Sequence, residues 1–529
     1  MSWPGAWRAR LDEGALVVAL AVAPLNTESG YGDASYSLGM APGWADTGAR
    51  MAMFRAVAQQ LQPRTWAVTL GGWNFRVIGD PRAFARACPR GTVLGLYAAL
   101  DSFATTAGID ASGYVRVGVG VVQDVQPVFE GDGPKTVFAG LEVTVVDAPK
   151  AMQGRLVNSG GAHPLFYTVG STTTLSSTAA VGDATYNVAS TTGFARRLGG
   201  SYPYGCVLVT PASSSDGAYC RLWSASTATT LTIQSAATAS RIGTTDIGAA
   251  SGDVVTECWY LRGHPLDIAR EVLVSRTGNG ANSSYDILPE GWGIGLDAQL
   301  MDDEDIENWK NSALLAPASG SLVWELAGTD QKDDPWAWLA GWLGEAGYFL
   351  AMRQGCVTVR PAQSTDLSTV RDTGILIDDS DIMSVTGGSF WDGSLSPEFY
   401  QTRVASVGAS SSRTTAEVVS LPAGDVYVYD VGDRLWSNES AVTTMDCARL
   451  AQATTQIPER VMLMCRGLRL ASLTLGDVVH LSTYLIPSRL NRTSFGFLNA
   501  AALVVSHAVE WERGYVKIGL CVYPTGSES

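Results

Sequence analysis

Apolar and polar positions alternate along this chain in short runs broken by Gly, Pro, Asn and Asp, and the runs predict strands far more often than helices. Residues 16–22 are the first, built of Leu, Val and Ala. Residues 66–70 and 73–78 flank Gly71-Gly72 and read as a hairpin turning on the glycine pair. A short helix at 82–87 and strands at 92–99, 114–122, 125–130, 136–139 and 141–147 are expected next. So many short strands with glycine punctuation predict a closed barrel or a sandwich.

At about residue 159 the pattern changes to small polar and apolar residues in alternation, as in TTTLSSTAAVGDATYNVASTTGF, with a turn at Gly182-Asp183. Strands are expected at 185–189, 205–210, 218–223 and 229–233. Interleaved Val, Tyr, Leu and Ile favour a folded sheet over a glycosylated or disordered tract. Helical spacing appears after Cys258. Residues 265–275 place Leu266, Ala269, Val272 and Leu273 on one side.

The most informative stretch is DDPWAWLAGWLGEAGYFLAMRQGCVTVR, 333–360. Asp333 and Asp334 offer cap oxygens, Pro335 suits the first helical position, and Trp336, Leu339, Leu343 and Ala346 share a face. Trp338 falls opposite that stripe, which makes it a candidate interface residue. Gly347 ends the helix, and strands 348–352 and 356–360 are joined by Arg353-Gln354-Gly355. Downstream, strands are expected at 374–377, 382–384, 401–407, 417–421 and 426–431. A helix at 445–455, capped by Thr443 or Thr444, precedes strands 460–466 and 478–483. A hairpin of 504–511 and 515–523, turning at Arg513-Gly514, closes the chain.

The length of 529 residues allows three or four domains, taking roughly 150 residues each. The boundaries expected are 1–158, 159–257 (an inserted small β-domain), 258–395 and 396–529. The fold class is mainly β with a few helices (α+β), multi-domain. Only 16% of residues are charged while 57 are Gly, which suits large polar but uncharged contacts. A net charge of −15 disfavours a sequence-independent grip on phosphates, and no sequence-specific nucleic-acid partner is expected. Arg supplies nearly all the positive charge, which suits interfaces, although a GC-rich genome gives the same bias.

No apolar run reaches the roughly 20 residues that span a bilayer, so stable membrane insertion is not expected. The apolar 15–23 follows Arg8 and Arg10 as a signal core would, yet Asp12 and Glu13 lie against it and favour a strand. The eight cysteines stand singly, without a CxxC pair, and are expected to be reduced and mostly buried. Cys206 and Cys220 flank one hairpin and could bridge.

Candidate chemistry is sparse. His163, His264, His480 and His507 are too scattered for a local ligand pair, and His480 and His507 read as satisfied strand residues. Gly118-Val119-Gly120 lies inside a strand and so fails the context of a dinucleotide fingerprint. The acids of MDDEDIENW, 301–309, suit a helix N-terminus; a calcium loop is the sharper alternative, but its central glycine is missing. Asp378, Asp379 and Asp381 read as a solvated turn. Neither catalytic residues, cofactor nor metal are expected, and the chain is not expected to be an enzyme. A hydrolase using Asp302, Asp303 or Asp381 is the weakest alternative.

Three stretches together resemble the tail hub proteins of tailed bacteriophages: WAVTLGGWNFRVIGD (66–80), the helix-hairpin at 333–360, and MDCARLAQATTQIPERVMLMCRGLRLASLTLGDVVHLS (445–482). In the last, the Gly476-Asp477 turn delivers Val478 and Leu481 to a barrel strand. The insert is similar to a β-repeat of phage structural proteins. The resemblance implies two tail-tube-like β-barrels and a homotrimer that closes the tail tube at the baseplate or tail tip. Expected partners are the distal tail protein, tail tube, tape measure and fibre or spike proteins of the same virion. The expected location is the distal end of the virion tail, with assembly in the host cytoplasm. Four clustered cysteines carry an iron–sulfur cluster in some hubs, and the dispersed cysteines here do not reproduce that. The alternative is a receptor- or glycan-binding tail-tip protein that uses 159–257 as its adhesive module.

Overall fold

The structure is a computed structural model. It describes residues 3, 5–24, 36–38, 50–52, 57–62, 67–78, 84–86, 88–100, 114–147, 171–180, 182–194, 205–212, 219–233, 249–274, 296, 300–310, 324–328, 335–345, 348–353, 355–361, 372–389, 399–404, 414–417, 426–430, 459–488 and 496–522. The fold is mainly β, in several sheets, with few helices.

The chain opens with a helix, α1 (Gly5–Asp12), which the strand-dominated pattern did not suggest. Trp3, Trp7 and Leu11 recur at four-residue steps and are buried, so one helical face is committed to the core. Strands β1 (Val17–Pro24), β2 (Tyr36–Leu38), β3 (Arg50–Ala52), β4 (Val57–Gln62), β5 (Ala67–Leu70), β6 (Gly72–Ile78), β7 (Val93–Leu100), β8 (Tyr114–Glu130) and β9 (Val137–Asp147) follow. Seven of them close a ring in the order β1-β2-β3-β6-β9-β8-β7. Along β6 every second side chain, Trp73, Phe75 and Val77, points into the core, the period of a sheet with one dry face. The strands expected at 114–122 and 125–130 are one strand, as are those at 136–139 and 141–147. Register shifts between Val122 and Asp124 and between Val128 and Phe129 absorb the irregular residues without ending β8.

The insert contains β10 (Thr172–Thr174), β11 (Thr185–Asn187), β12 (Gly205–Thr210), β13 (Tyr219–Ser226), β14 (Thr230–Ile233) and β15 (Val254–Gly263), paired in the order β10-β15-β12-β13-β14-β11. A bridge between Leu175 and Val188 brings its two outer strands together, so the sheet curls on itself. Tyr186, Val207, Val209, Trp223, Leu231 and Val255 fill a core of its own. Cys220 lies opposite Leu208, not Cys206, whose register partners are Leu222 and Cys258. Strand β15 runs on past residue 257 to pair with a strand of the next segment.

That segment holds α2 (Pro265–Val274), α3 (Asp303–Lys310), β16 (Trp324–Gly328), α4 (Pro335–Glu345), β17 (Tyr348–Arg353) and β18 (Cys356–Pro361). Gly355 takes the expected turn with φ +78°. Asp333, Asp334 and Gly347, and the side chain of Trp336, lie outside the described residues. Trp338 corrects the sequence reading: it is buried, not an interface residue. The reason is that α4 meets α2, β5 and β17, so the side opposite its main stripe is also covered.

The C-terminal part contains β19 (Asp372–Asp378), β20 (Ile382–Ser389), β21 (Phe399–Val404), β22 (Thr414–Glu417), β23 (Val426–Asp430), β24 (Glu459–Arg466), β25 (Val478–Thr483), β26 (Phe497–Glu510) and β27 (Tyr515–Val522). Strands β21 to β23 form a small separate sheet, and the helix expected at 445–455 lies outside the described residues. The main sheet runs β19-β25-β26-β27-β24-β20. Its two outer strands are consecutive in the chain, separated by Asp379, Ser380 and Asp381 alone, so the sheet must roll until its edges meet at that turn. Asp378, Asp379 and Asp381 hold this seam. Asp379 accepts from the Thr483 hydroxyl on β25, Asp381 pairs with Arg469, and the Arg466 amide donates to the Asp381 carbonyl at 2.7 Å.

The expected hairpin at Gly71-Gly72 is not formed. Strand β5 pairs with β4, and β4 pairs with the second half of β26, so both belong to the C-terminal sheet; β6 pairs with β9 in the ring. The glycines mark a crossing between two sheets. Any Cβ on Gly72 would lie 2.2 Å from the Val145 carbonyl oxygen, so the residue serves a close backbone approach. The crossing fuses the two units, and one hydrophobic cluster runs from Phe75 and Val143 of the ring to Leu463, Val479 and Ile518 of the rolled sheet.

Replacing Gly72 with Ala is expected to destabilise the protein by about 1–3 kcal/mol through forced overpacking. Gly341→Ala, in open space on a helix, is expected to be neutral or to stabilise by up to ~1 kcal/mol. Urea midpoints of the two variants check this, and equal midpoints would refute the close approach.

Candidate functional site

The best-defined polar constellation lies where ring, rolled sheet and helix-hairpin meet. Its centre is Arg360, the penultimate residue of β18, a strand whose six residues are all buried. Arg360 Nε donates to Asp305 Oδ2 at 3.0 Å and Nη2 to Oδ1 at 3.2 Å, so a planar guanidinium faces a planar carboxylate. Its Nη1 donates to Asp477 Oδ1 at 2.6 Å and to the Leu475 carbonyl at 3.2 Å. The Thr358 hydroxyl donates to Asp305 at 2.7 Å. Beside it, Arg353 Nη1 donates to the fully buried Asp302 at 2.7 Å.

Local structure explains each position. Asp302 precedes α3; its Oδ1 accepts from the Asp305 amide at 3.3 Å and its carbonyl from the Ile306 amide at 3.1 Å, the geometry of a helix cap. The helix-terminus reading of these acids therefore holds, and their charge is also met by arginine. Asp303 pairs with Arg270 of α2 at 2.6 Å. Asp477 closes the turn before β25, accepting from the Thr474 amide at 2.7 Å, and Gly476 beside it has φ +86°. Val478 and Leu481 are then fully buried, as the turn motif implied.

Electrostatics follow from this geometry. Burial alone would raise the Asp305 carboxyl, but the charge and hydrogen bonds of Arg360, with help from Thr358 and Arg353, override it and hold it below its ordinary 3.8. Burial would likewise ease the Arg360 proton off, and Asp477 and Asp305 reverse that. Both groups are ionised across the physiological range.

The hairpin's other side meets the ring. A Cβ on Gly355 would lie 2.9 Å from the Gly118 backbone, and one on Gly120 would strike Val145 and Val146, so Gly118-Val119-Gly120 serves close packing. Arg116 Nη2 donates to Cys356 Sγ at 3.1 Å. The Gln59 amide spans both polar groups of Met352, receiving its N–H at 3.1 Å and donating to its carbonyl at 3.2 Å. A cavity of about 50 Å³ remains there, lined among others by Trp3, Trp73, Gly118, Met352, His507 and Trp511. It is far below the roughly 300 Å³ at which small-molecule sites begin.

The remaining candidates are accounted for by local partners. Asp302, Asp303 and Asp381 are each paired with arginine, and Asp381 sits on the β19–β20 seam, apart from α3. His507 donates its Nε2–H to the Leu470 carbonyl at 2.9 Å, and burial lowers its pKa. His480 lies 2.9 Å from Asp372, whose carboxyl this bond holds down. His507 is the satisfied strand histidine expected, whereas His480 is satisfied at Nε2 alone, its buried Nδ1 having no partner among the described residues. His264 Nδ1 accepts from the Leu266 amide at 3.2 Å at the start of α2, and His163 lies outside the described residues. Cys88, Cys356, Cys465 and Cys521 are buried thiols, and burial pushes the Cys88 and Cys465 thiols up to about 12. Among the described residues no cluster of His, Cys, Asp or Glu could hold a metal, and no helix is long and apolar enough to cross a membrane. In the insert, Tyr186 and Trp223 are buried and Phe194 packs edge-on to Trp223, so these three rings do not form an exposed platform.

Sequence reasoning passed over Arg353 and Arg360, reading them as turn and strand-end residues. The available signal was a charge at the end of the apolar run CVTV in a chain that also carries a compact acid cluster at 302–305. No family model matches the sequence, and the comparison with curated proteins found no match.

Arg360→Met leaves Asp305 and Asp477 without their cation and is expected to cost about 3–5 kcal/mol in denaturant titration. Because the folded pKa of Asp305 is depressed, its contribution is complete above 3.8 and fades as pH falls through the lower folded value. The stability gap between the native chain and Asp305→Asn should therefore narrow below about pH 4; a gap constant from pH 7 to pH 3 would show that this carboxylate is not held by charge.

Proposed function

We propose that this chain is a structural virion protein, the tail-tip or baseplate hub of a tailed bacteriophage, acting without catalysis or cofactor. One observation carries the reading: a closed seven-stranded ring and a rolled sheet are fused in one polypeptide through a common core. Three copies of such a two-unit chain can present six similar units around an axis and so meet a sixfold tube. A fused core keeps the two units in fixed register, as a ring of that kind requires.

The polar constellation supports the same role. Its acids face arginines across secondary-structure elements, so they hold the chain together instead of facing a cleft. In this reading the chain closes the tail tube, meets the distal tail, tape-measure and fibre or spike proteins, and resides at the distal end of the virion tail after assembly in the host cytoplasm.

Light scattering of the purified full chain at tens of micromolar is expected to give a trimer, and negative-stain images of the particle with this chain labelled should place it at the tail tip. A stable monomer at that concentration, or a label elsewhere, overturns the reading.

A further inference from the structure

Among the described residues most large apolar side chains are buried, but β8 and β9 continue beyond the ring as an arm that exposes Phe129 (60%), Phe138 (47%) and Val137 (62%). Register explains the pattern. Val125 faces Val143, Pro127 faces Leu141 and, after a bulge, Phe129 faces Phe138. Val143 is a core residue of the ring, and Val125 and Leu141 pack partly against that core. The exposed phenylalanines therefore extend the stripe that lines the ring, carried past the point where the chain covers it. Past Leu141 no third strand pairs with either partner among the described residues. The arm then runs about four residues further on each strand, or ~13 Å, before its tip.

The arm is built to stay formed. Phe129 and Phe138 meet edge to face, 5.9 Å between centroids. On the opposite face Arg76 of β6 pairs with Glu130 at 2.6 Å and so ties the arm to the ring. Gly131 (φ +103°) turns the tip, where a Cβ would lie 2.5 Å from the Lys135 carbonyl oxygen. A free two-stranded ribbon is marginal in water, so this arm calls for a cover.

We propose that the β8–β9 arm docks on a second copy of this chain, with Phe129 and Phe138 as its anchor; this rests on the hub reading and names the element that joins its copies. Chemistry selects the occupant. Glu130 is paired with Arg76 and Asp132 is balanced by Lys135, so the tip carries no positive excess, and the net charge of −15 works against anionic lipid or nucleic acid. The same chain offers a matching surface: Leu376, Met383 and Val385 are 41–48% exposed at the outer strands of the rolled sheet, and 382–389 carry no charge. Methionine beside aromatic rings makes a favourable, adaptable contact. The two phenylalanines and Val137 present roughly 300 Å² of apolar surface, against roughly 800 Å² per partner in a standard interface. The arm is thus one part of a broader contact. A second copy can supply the remainder, and in a closed ring each copy both gives an arm and receives one.

The test uses the full chain. Phe129→Ser/Phe138→Ser is expected to weaken self-association at least tenfold in sedimentation velocity while the far-UV circular-dichroism spectrum stays that of the native chain. In an otherwise native chain, p-benzoylphenylalanine at position 138 is expected to cross-link to another copy on irradiation. A native trimer that the double variant leaves intact, together with no inter-copy cross-link, removes the arm proposal and spares the hub reading. A native chain that remains monomeric removes both. Co-sedimentation of the native chain, but not the double variant, with vesicles of phosphatidylcholine and phosphatidylglycerol would reassign the arm to lipid and overturn the proposal.

Discussion

A guanidinium held between two carboxylates in the dry interior is the constraint on which the arrangement depends. Arg360 comes from the hairpin, Asp305 from the helix before it and Asp477 from the turn that starts β25, and the three meet at 2.6–3.2 Å. Taking such charges out of water costs several kcal/mol per ion, and mutual attraction offsets this only when the geometry is good and the remaining hydrogen-bonding groups are matched. Here four of the guanidinium contacts are made at once. An apolar trio of the same volume could be as stable; what it would lack is directionality. Two carboxylates on different elements fix the angle of the hairpin, as packing of interchangeable methyl groups would not.

Orientation matters because the hairpin touches the ring, β4 and the rolled sheet at once. One side reaches the ring through Gly355 against Gly118, another reaches β4 through Gln59, and its end reaches the rolled sheet through Arg360. Strand β26 adds a second tie: its first half pairs with β25 and its second half with β4, which arrives from the N-terminal part of the chain. Sequence segments more than 400 residues apart thus share one ladder, His507 opposite Gln59. The ring and rolled sheet cannot separate without opening the hydrophobic cluster they share and the packing of the hairpin against Gly118.

Local pattern carried much of this fold into view, and the exceptions have physical causes. Period-two alternation at 73–78 and 460–466 gave strands, and the spacing of Leu266, Ala269, Val272 and Leu273 gave α2, because each reports one buried face. The turn expected at Gly71-Gly72 failed because a glycine pair permits a tight turn and a close backbone approach equally; only the Val145 carbonyl distinguishes them. Trp338 was misplaced because a helix wheel locates one stripe and is silent about a second covered side. The charged junction was legible only by halves: the acids stood out as a cluster, but their arginines lie about 50 residues away, at |i−j| of 51 and 55. No local periodicity relates residues at such separation.

Burial and buried charge also set how the described titratable groups behave. Catalytic acids and histidines need a pKa near the working pH and access to substrate. Here Asp305 is held low by its arginine, the Cys88 and Cys465 thiols are pushed up to about 12 by burial, and His507 loses affinity for its proton while its Nε2–H remains with the Leu470 carbonyl. Each of these groups is displaced toward one protonation state at physiological pH: Asp305 charged, the two thiols and His507 neutral. A fixed protonation state keeps these buried contacts unchanged across the physiological pH range, and the Phe129, Val137 and Phe138 side chains exposed on the arm do not titrate at all.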